Sequence, residues 1–123
     1  MATWTATGPL RLPGHVEAGE SVLDAAVREA TEELGIGVDP HDLVPLCAMH
    51  RTVAPHGPID ERVDFFFTVR EWSGRVVGRE PLKIADLRWF PLDDLPEPVV
   101  PHEKVVLDGL RTGRLPAVVA HGF

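Results

Sequence analysis

At 123 residues the chain has the length for one domain with a real core and little to spare for a second. Its composition, 44% hydrophobic and 25% charged, is that of a soluble globular protein, and a formal charge of −7 excludes a Lys/Arg grip on nucleic-acid backbones. Cys47 is the single cysteine, no apolar run approaches membrane-spanning length, and MATWTATGPL has neither the basic nor the apolar region of a secretion signal. The expectation is a cytoplasmic protein with no membrane or nucleic-acid partner. Such an acidic chain can still bind phosphate where a metal ion supplies local positive charge.

In chain order, residues 1–13 form a short lead-in that turns extended at Leu10-Arg11-Leu12-Pro13, and residues 14–19, GHVEAG, form a loop with glycine at both ends. Leu23, Ala26, Val27, Ala30 and Leu34 recur at helical spacing and predict a helix over 21–34. Ser21 suits its N-cap and Gly35 the position just past its end. Two β stretches follow, 42–54 and 61–72, split by the turn chemistry of PHGP at 55–58. Val63, Phe65, Phe66, Phe67 and Val69 predict that the second is largely buried. Ser73-Gly74 breaks that run, residues 75–77 read as a short strand, and Asp86 to Phe90 as a final strand stopped by Pro91. Residues 93–95 read as a turn, and Val105, Val106 and Leu110 predict a helix over 102–110. The pattern is α+β, one domain over residues 1–123 with a mixed sheet.

The polar face of the first helix is unusual. At about 100° per residue, Glu29, Glu32 and Glu33 fall within an arc of about 100° that flanks the apolar stripe rather than opposing it. Like charges at i,i+3 and i,i+4 destabilise a helix by roughly 0.2–0.5 kcal/mol per pair. A divalent cation reverses the sign, because clustered carboxylates offer the hard oxygen donors that Mg²⁺ and Mn²⁺ prefer. Glu32-Glu33 alone would read as a solvated face; the surrounding spacing is what distinguishes this helix.

That spacing runs Gly14, five residues, Glu20, seven residues, Arg28-Glu29-Ala30-Thr31-Glu32-Glu33-Leu34-Gly35-Ile36. It fits GX5EX7REUXEEXGU at every fixed position, an agreement expected by chance about once in 10⁸ starting points. The chain therefore resembles the Nudix hydrolases. The segment GREPLKIADLRWFPLDDLP, which matches a pattern frequent in that family, extends the resemblance over nearly all of residues 9–115.

The resemblance implies a Nudix-like α/β/α sandwich and a pyrophosphohydrolase acting on a nucleoside diphosphate linked to another group. It implies Mg²⁺ as cofactor, with Mn²⁺ as the alternative. Matched by position, Glu29, Glu32 and Glu33 are the metal-facing carboxylates, and the Gly14 carbonyl is a further ligand. Arg28 orients a neighbouring carboxylate, and Glu20 acts one layer behind the ligands, through water, or simply as an acid favouring the helix N-terminus. Glu33 is the first choice of general base and Glu32 the second. The outlying carboxylate of many relatives falls on Glu80, with Asp86 as the alternative, while Trp89 and Phe90 read as core. The rival class is a Nudix-fold binding or scaffold protein without turnover.

Other residues carry weaker signals. His15, His50 and His56 lack any zinc-ligand spacing, Arg51 and Arg62 read as solvated or cleft-facing strand residues, and Ser21 has no Ser–His–Asp setting. The chain also departs from the family pattern. Thirteen residues precede Gly14, without a clear apolar strand pair, and Leu12-Pro13-Gly14 is one residue tighter than the usual loop. The expectation is a sheet lacking part of its N-terminal strand region, its phenylalanine-rich edge completed by a second copy of the chain in a homodimer.

Overall fold

The computed structural model describes residues 10–14 (backbone alone), 16–75, 94 and 100–123. Strand β1 spans Leu10–Gly14, helix α1 Val22–Leu34, strand β2 Leu43–Arg51, strand β3 Arg62–Val69, helix α2 Pro101–Thr112 and strand β4 Val118–His121. Single 3₁₀ turns at Pro40–Asp42 and Pro58–Asp60 lead into β2 and β3. The sheet order is β1-β3-β2-β4, antiparallel except where β4 runs parallel to β2. It is the mixed sheet expected of an α+β chain.

Side-chain alternation along β3 divides the core between two helices. Phe67 and Val69 are buried with Ala26, Ala30 and Leu34 of α1, joined by Phe65. Phe66 points the other way and is buried with Cys47, Met49, Val106 of α2 and Val119 of β4. One helix therefore covers each face of the sheet, the sandwich implied by the resemblance.

Three expectations change. Leu23 is 43% exposed, whereas Ala25 is fully buried, so the apolar stripe of α1 is rotated by part of a turn and is built mostly of alanines. Small side chains let the helix lie close to the sheet. The phenylalanine-rich strand is not an edge: β3 lies between β1 and β2, because Leu10–Gly14 pairs with Val69–Phe65 in register. The short lead-in, expected to be extended from Leu10 to Pro13, thus supplies the strand that covers this edge. Finally, β4 was not foreseen at all. Thr52 N–H donates to the His121 carbonyl at 3.0 Å, and a Cβ on Gly122 (φ +85°) would stand 2.1 Å from the Thr52 carbonyl oxygen. Only glycine fits that approach.

Candidate active site

The site is built on α1. Ser21 Oγ accepts the Asp24 N–H at 3.0 Å, satisfying one of the otherwise unpaired first-turn donors. At the other end Gly35 adopts the left-handed conformation (φ 69°), with its N–H directed to the Ala30 and Thr31 carbonyls. Both ends of the helix are therefore set by local chemistry. Between them the carboxylates sort by depth: Glu29 and Glu33 are buried on the flank of the core, while Glu32 is exposed. Strand β1 ends at Gly14, opposite Phe65 of the same sheet face that α1 covers.

Arg28 gathers the acids. Its Nη1 donates to Glu29 Oε1 at 3.2 Å and to Glu32 Oε2 at 3.0 Å. The other edge of the guanidinium faces Glu20, with Nη2 to Oε1 at 2.8 Å and Nε to Oε2 at 3.1 Å. Glu17 adds an oxygen 3.7 Å from Nη1, and its own N–H donates to Glu20 Oε1 at 2.8 Å. These hydrogen bonds have visible electrostatic consequences. Arg28 holds the Glu20 carboxyl below the usual glutamate range, helped by the Glu17 N–H, and Glu20 in turn raises the Arg28 pKa.

The residues fit a divalent cation in donor chemistry and in convergence, since Glu29 and Glu32 already point an oxygen each at one cationic nitrogen. Among the described residues, however, no three His, Cys, Asp or Glu side chains group closely enough to hold a metal ion as they stand. The guanidinium occupies the centre of the cluster. Arg28 bridges Glu29 and Glu32, and Glu20 reaches the acid ridge through Arg28. Glu80, Asp86, Trp89, Phe90, His15 and the short strands expected at 75–77 and 86–90 lie wholly or largely outside the described residues.

The opposite face of the sheet holds a second charged group that sequence reading missed. Asp64 is buried in β3 and pairs with Arg51 Nε of β2. His102, at the start of α2, has its pKa lowered, first by burial and then by the charge of Arg51. Glu103 beside it is also buried. The available signal was an aspartate inside the apolar run Val63-Asp64-Phe65-Phe66, a position that requires a partner. His50 Nε2 lies 2.5 Å from Glu61 Oε1, and its ring packs against Phe123.

Comparison with known proteins agrees with this architecture. The family model described as the NUDIX domain matches residues 5–110, and the chain belongs to that family. A MutT NUDIX hydrolase from Burkholderia pseudomallei superposes with a TM-score of 0.71 at 26% identity, covering 86% of this chain and 91% of that one. Similar sequences include the NAD-capped RNA hydrolase NudC of Stutzerimonas stutzeri, 34% identical over 85 residues. An isopentenyl-diphosphate Delta-isomerase of Escherichia coli O139:H28 is 28% identical over 82 residues. The matches cover 69% and 67% of this chain but span 28% and 44% of those proteins' lengths.

Proposed function

We propose that this chain hydrolyses a phosphoanhydride bond in a nucleoside diphosphate linked to another group, with Mg²⁺ as its metal and Mn²⁺ as a substitute. The observation that carries this reading is the convergence of Glu29 and Glu32 on one cationic centre, with buried Glu33 on the same helix. Glu29, Glu32, Glu33 and the Gly14 carbonyl would hold the metal, with Glu80 as the outlying carboxylate. A bound divalent ion would neutralise the pyrophosphate and make a nearby water easier to deprotonate. Glu33 then takes the proton from the attacking water, its burial keeping the carboxylate in a fixed position. Arg28 orients Glu29 and Glu32, and Glu20 holds Arg28.

The relatives named for NAD-capped RNA and for isopentenyl diphosphate have a diphosphate in common, the part of a substrate that a metal held by the acid ridge would meet. A cytoplasmic setting suits the single buried free thiol of Cys47, and no described helix is long and apolar enough to cross a membrane. A homodimer through the sheet edges is a separate proposal, which light scattering from a monomer would overturn.

A panel of nucleoside diphosphate compounds, assayed with and without Mg²⁺, tests the main reading. Glu33→Gln is expected to lower kcat by about 10²–10⁴ while leaving the circular dichroism spectrum unchanged. Wild-type turnover no faster than the variant's on every compound would instead favour a binding or scaffold protein. The observation on that side is that Arg28 already satisfies two of the acids without a metal.

A further inference from the structure

We infer that the part of the sheet face left bare beside α1 is a subsite for the nucleobase of the substrate, built around His50 and Phe123; this rests on the hydrolytic reading above. Alternation puts His50 of β2 and Val63 of β3 on the face that carries Phe65 and Phe67, since Cys47, Met49 and Phe66 are buried on the other. His50 stands opposite Val63 on one side and Ala120 of β4 on the other. Helix α1 packs on Phe67 and Val69 and leaves this row open: Val63 is 53% exposed, and Val118, one row along on β4, is 72% exposed.

The bare face has the chemistry of a site for a flat, uncharged ring. His50 Nε2 lies 2.5 Å from Glu61 Oε1, which fixes the orientation of the imidazole. The Phe123 ring stands against it, centroids 4.6 Å apart and planes inclined by 50°, so the two rings make a corner rather than a flat stack. A planar heterocycle can lie on the face of one ring and meet the edge of the other, with Val63 and Val118 extending the apolar floor. The Glu61 carboxylate at the rim repels a phosphate and accepts the N–H groups of a base.

The strand register gives the reach. Gly14, whose carbonyl belongs to the proposed metal site, pairs with Phe65, and Phe65 pairs with Ala48 of β2. His50 therefore lies two strands across and two residues along from Gly14. With the usual strand spacing and rise per residue, that is about 10 Å by about 7 Å. A diphosphate held beside Gly14 and the acid ridge, followed by a pentose, spans that gap and brings the base onto the His50 row.

The experiment is steady-state kinetics with Mg²⁺ on two compounds, a nucleoside diphosphate linked to a sugar and a diphosphate diester of two sugars without a base. The full chain is used as wild type, His50→Ala and Phe123→Ala, with light scattering on each. Both variants are expected to raise KM for the base-bearing compound about five- to twentyfold at nearly constant kcat, the range of one lost stacking contact. Both constants for the base-free compound should stay unchanged. Binding is read separately in chelator: a nucleoside 5′-monophosphate should shift the His50 ring-proton resonances, and ribose 5-phosphate should not. Equal KM changes for the two compounds, no change for either, or unmoved His50 resonances overturn the inference. A dimer that either substitution dissolves without altering KM assigns the surface to a second copy of the chain and overturns it as well. Wild type that turns over neither compound overturns the hydrolytic reading instead, and the monophosphate titration then decides the subsite by itself.

Discussion

The two faces of the sheet each set arginine against carboxylate, in different proportions. Under α2, Arg51 meets Asp64, which is 3% exposed, with His102 and buried Glu103 at the start of the helix. Beside α1, one guanidinium serves Glu17, Glu20, Glu29 and Glu32, and Glu33 is buried on the same helix. The Arg51–Asp64 pair joins two neighbouring strands across the sheet. A surplus of acids on a helix flank costs stability and invites a further positive charge, which the proposed metal would supply. The gathering of several acids around one arginine on a helix flank, more than the presence of buried charge, separates the candidate active site from the group under α2.

The comparison breaks if like substitutions behave alike on both faces. Asp64→Asn should destabilise the protein by about 2–3 kcal/mol in urea unfolding, because Arg51 loses its charge partner while only partly exposed. Glu32→Gln, the same chemical change on the surplus side, should alter metal-free stability by no more than about 0.5 kcal/mol, since a lost ion pair is offset by relieved repulsion. Equal losses would show that the α1 acids are structural as well.

A smaller effect sharpens the description of the α2 side. Asp64, Phe66 and Thr68 share that face by alternation, and Thr68 Oγ1 is buried without a hydrogen-bond partner among the described residues. Thr68→Val, nearly isosteric, should therefore raise stability by about 1 kcal/mol in the same assay. A loss of stability would mean that the hydroxyl has a partner in the native protein.

The smallest effect is one of pH. His102 has a folded-state pKa below the ordinary histidine range, so the unfolded chain takes up its proton first as pH falls. The resulting stability is present above the unfolded pKa and is lost as pH drops through the histidine range toward the folded value. Melting temperatures of wild type and His102→Gln should separate at neutral pH and converge on acidification. Parallel curves would place the histidine in water in both states.

Much of α1 was legible in the sequence because its signals are local. Ser21, Gly35 and the fixed spacing from Gly14 to Ile36 each act within a turn or two of chain, and the structure places the caps where those residues stand. The exception is instructive. Leu23 fits the periodicity yet is 43% exposed, because periodicity alone does not decide which side of a short alanine-rich helix meets the sheet.

The rest depended on contacts distant in sequence. Leu10–Gly14 reads as extended in the sequence, but only the fold shows that it pairs with β3. The four residues of β4 pair in parallel with β2, a partner some seventy residues earlier in the chain. Asp64 looked anomalous in its apolar run, and only the β2–β3 register supplied Arg51 as the reason.

What the sequence determined by itself was the family, the helix and the identity of its acids, because a helix brings residues three and four apart together wherever it sits. Only the tertiary structure decided which acids are buried, and that Glu20 holds Arg28 from the loop before the helix. Burial depends on what packs against the helix, and a guanidinium's partners depend on which oxygens the folded loop brings within reach.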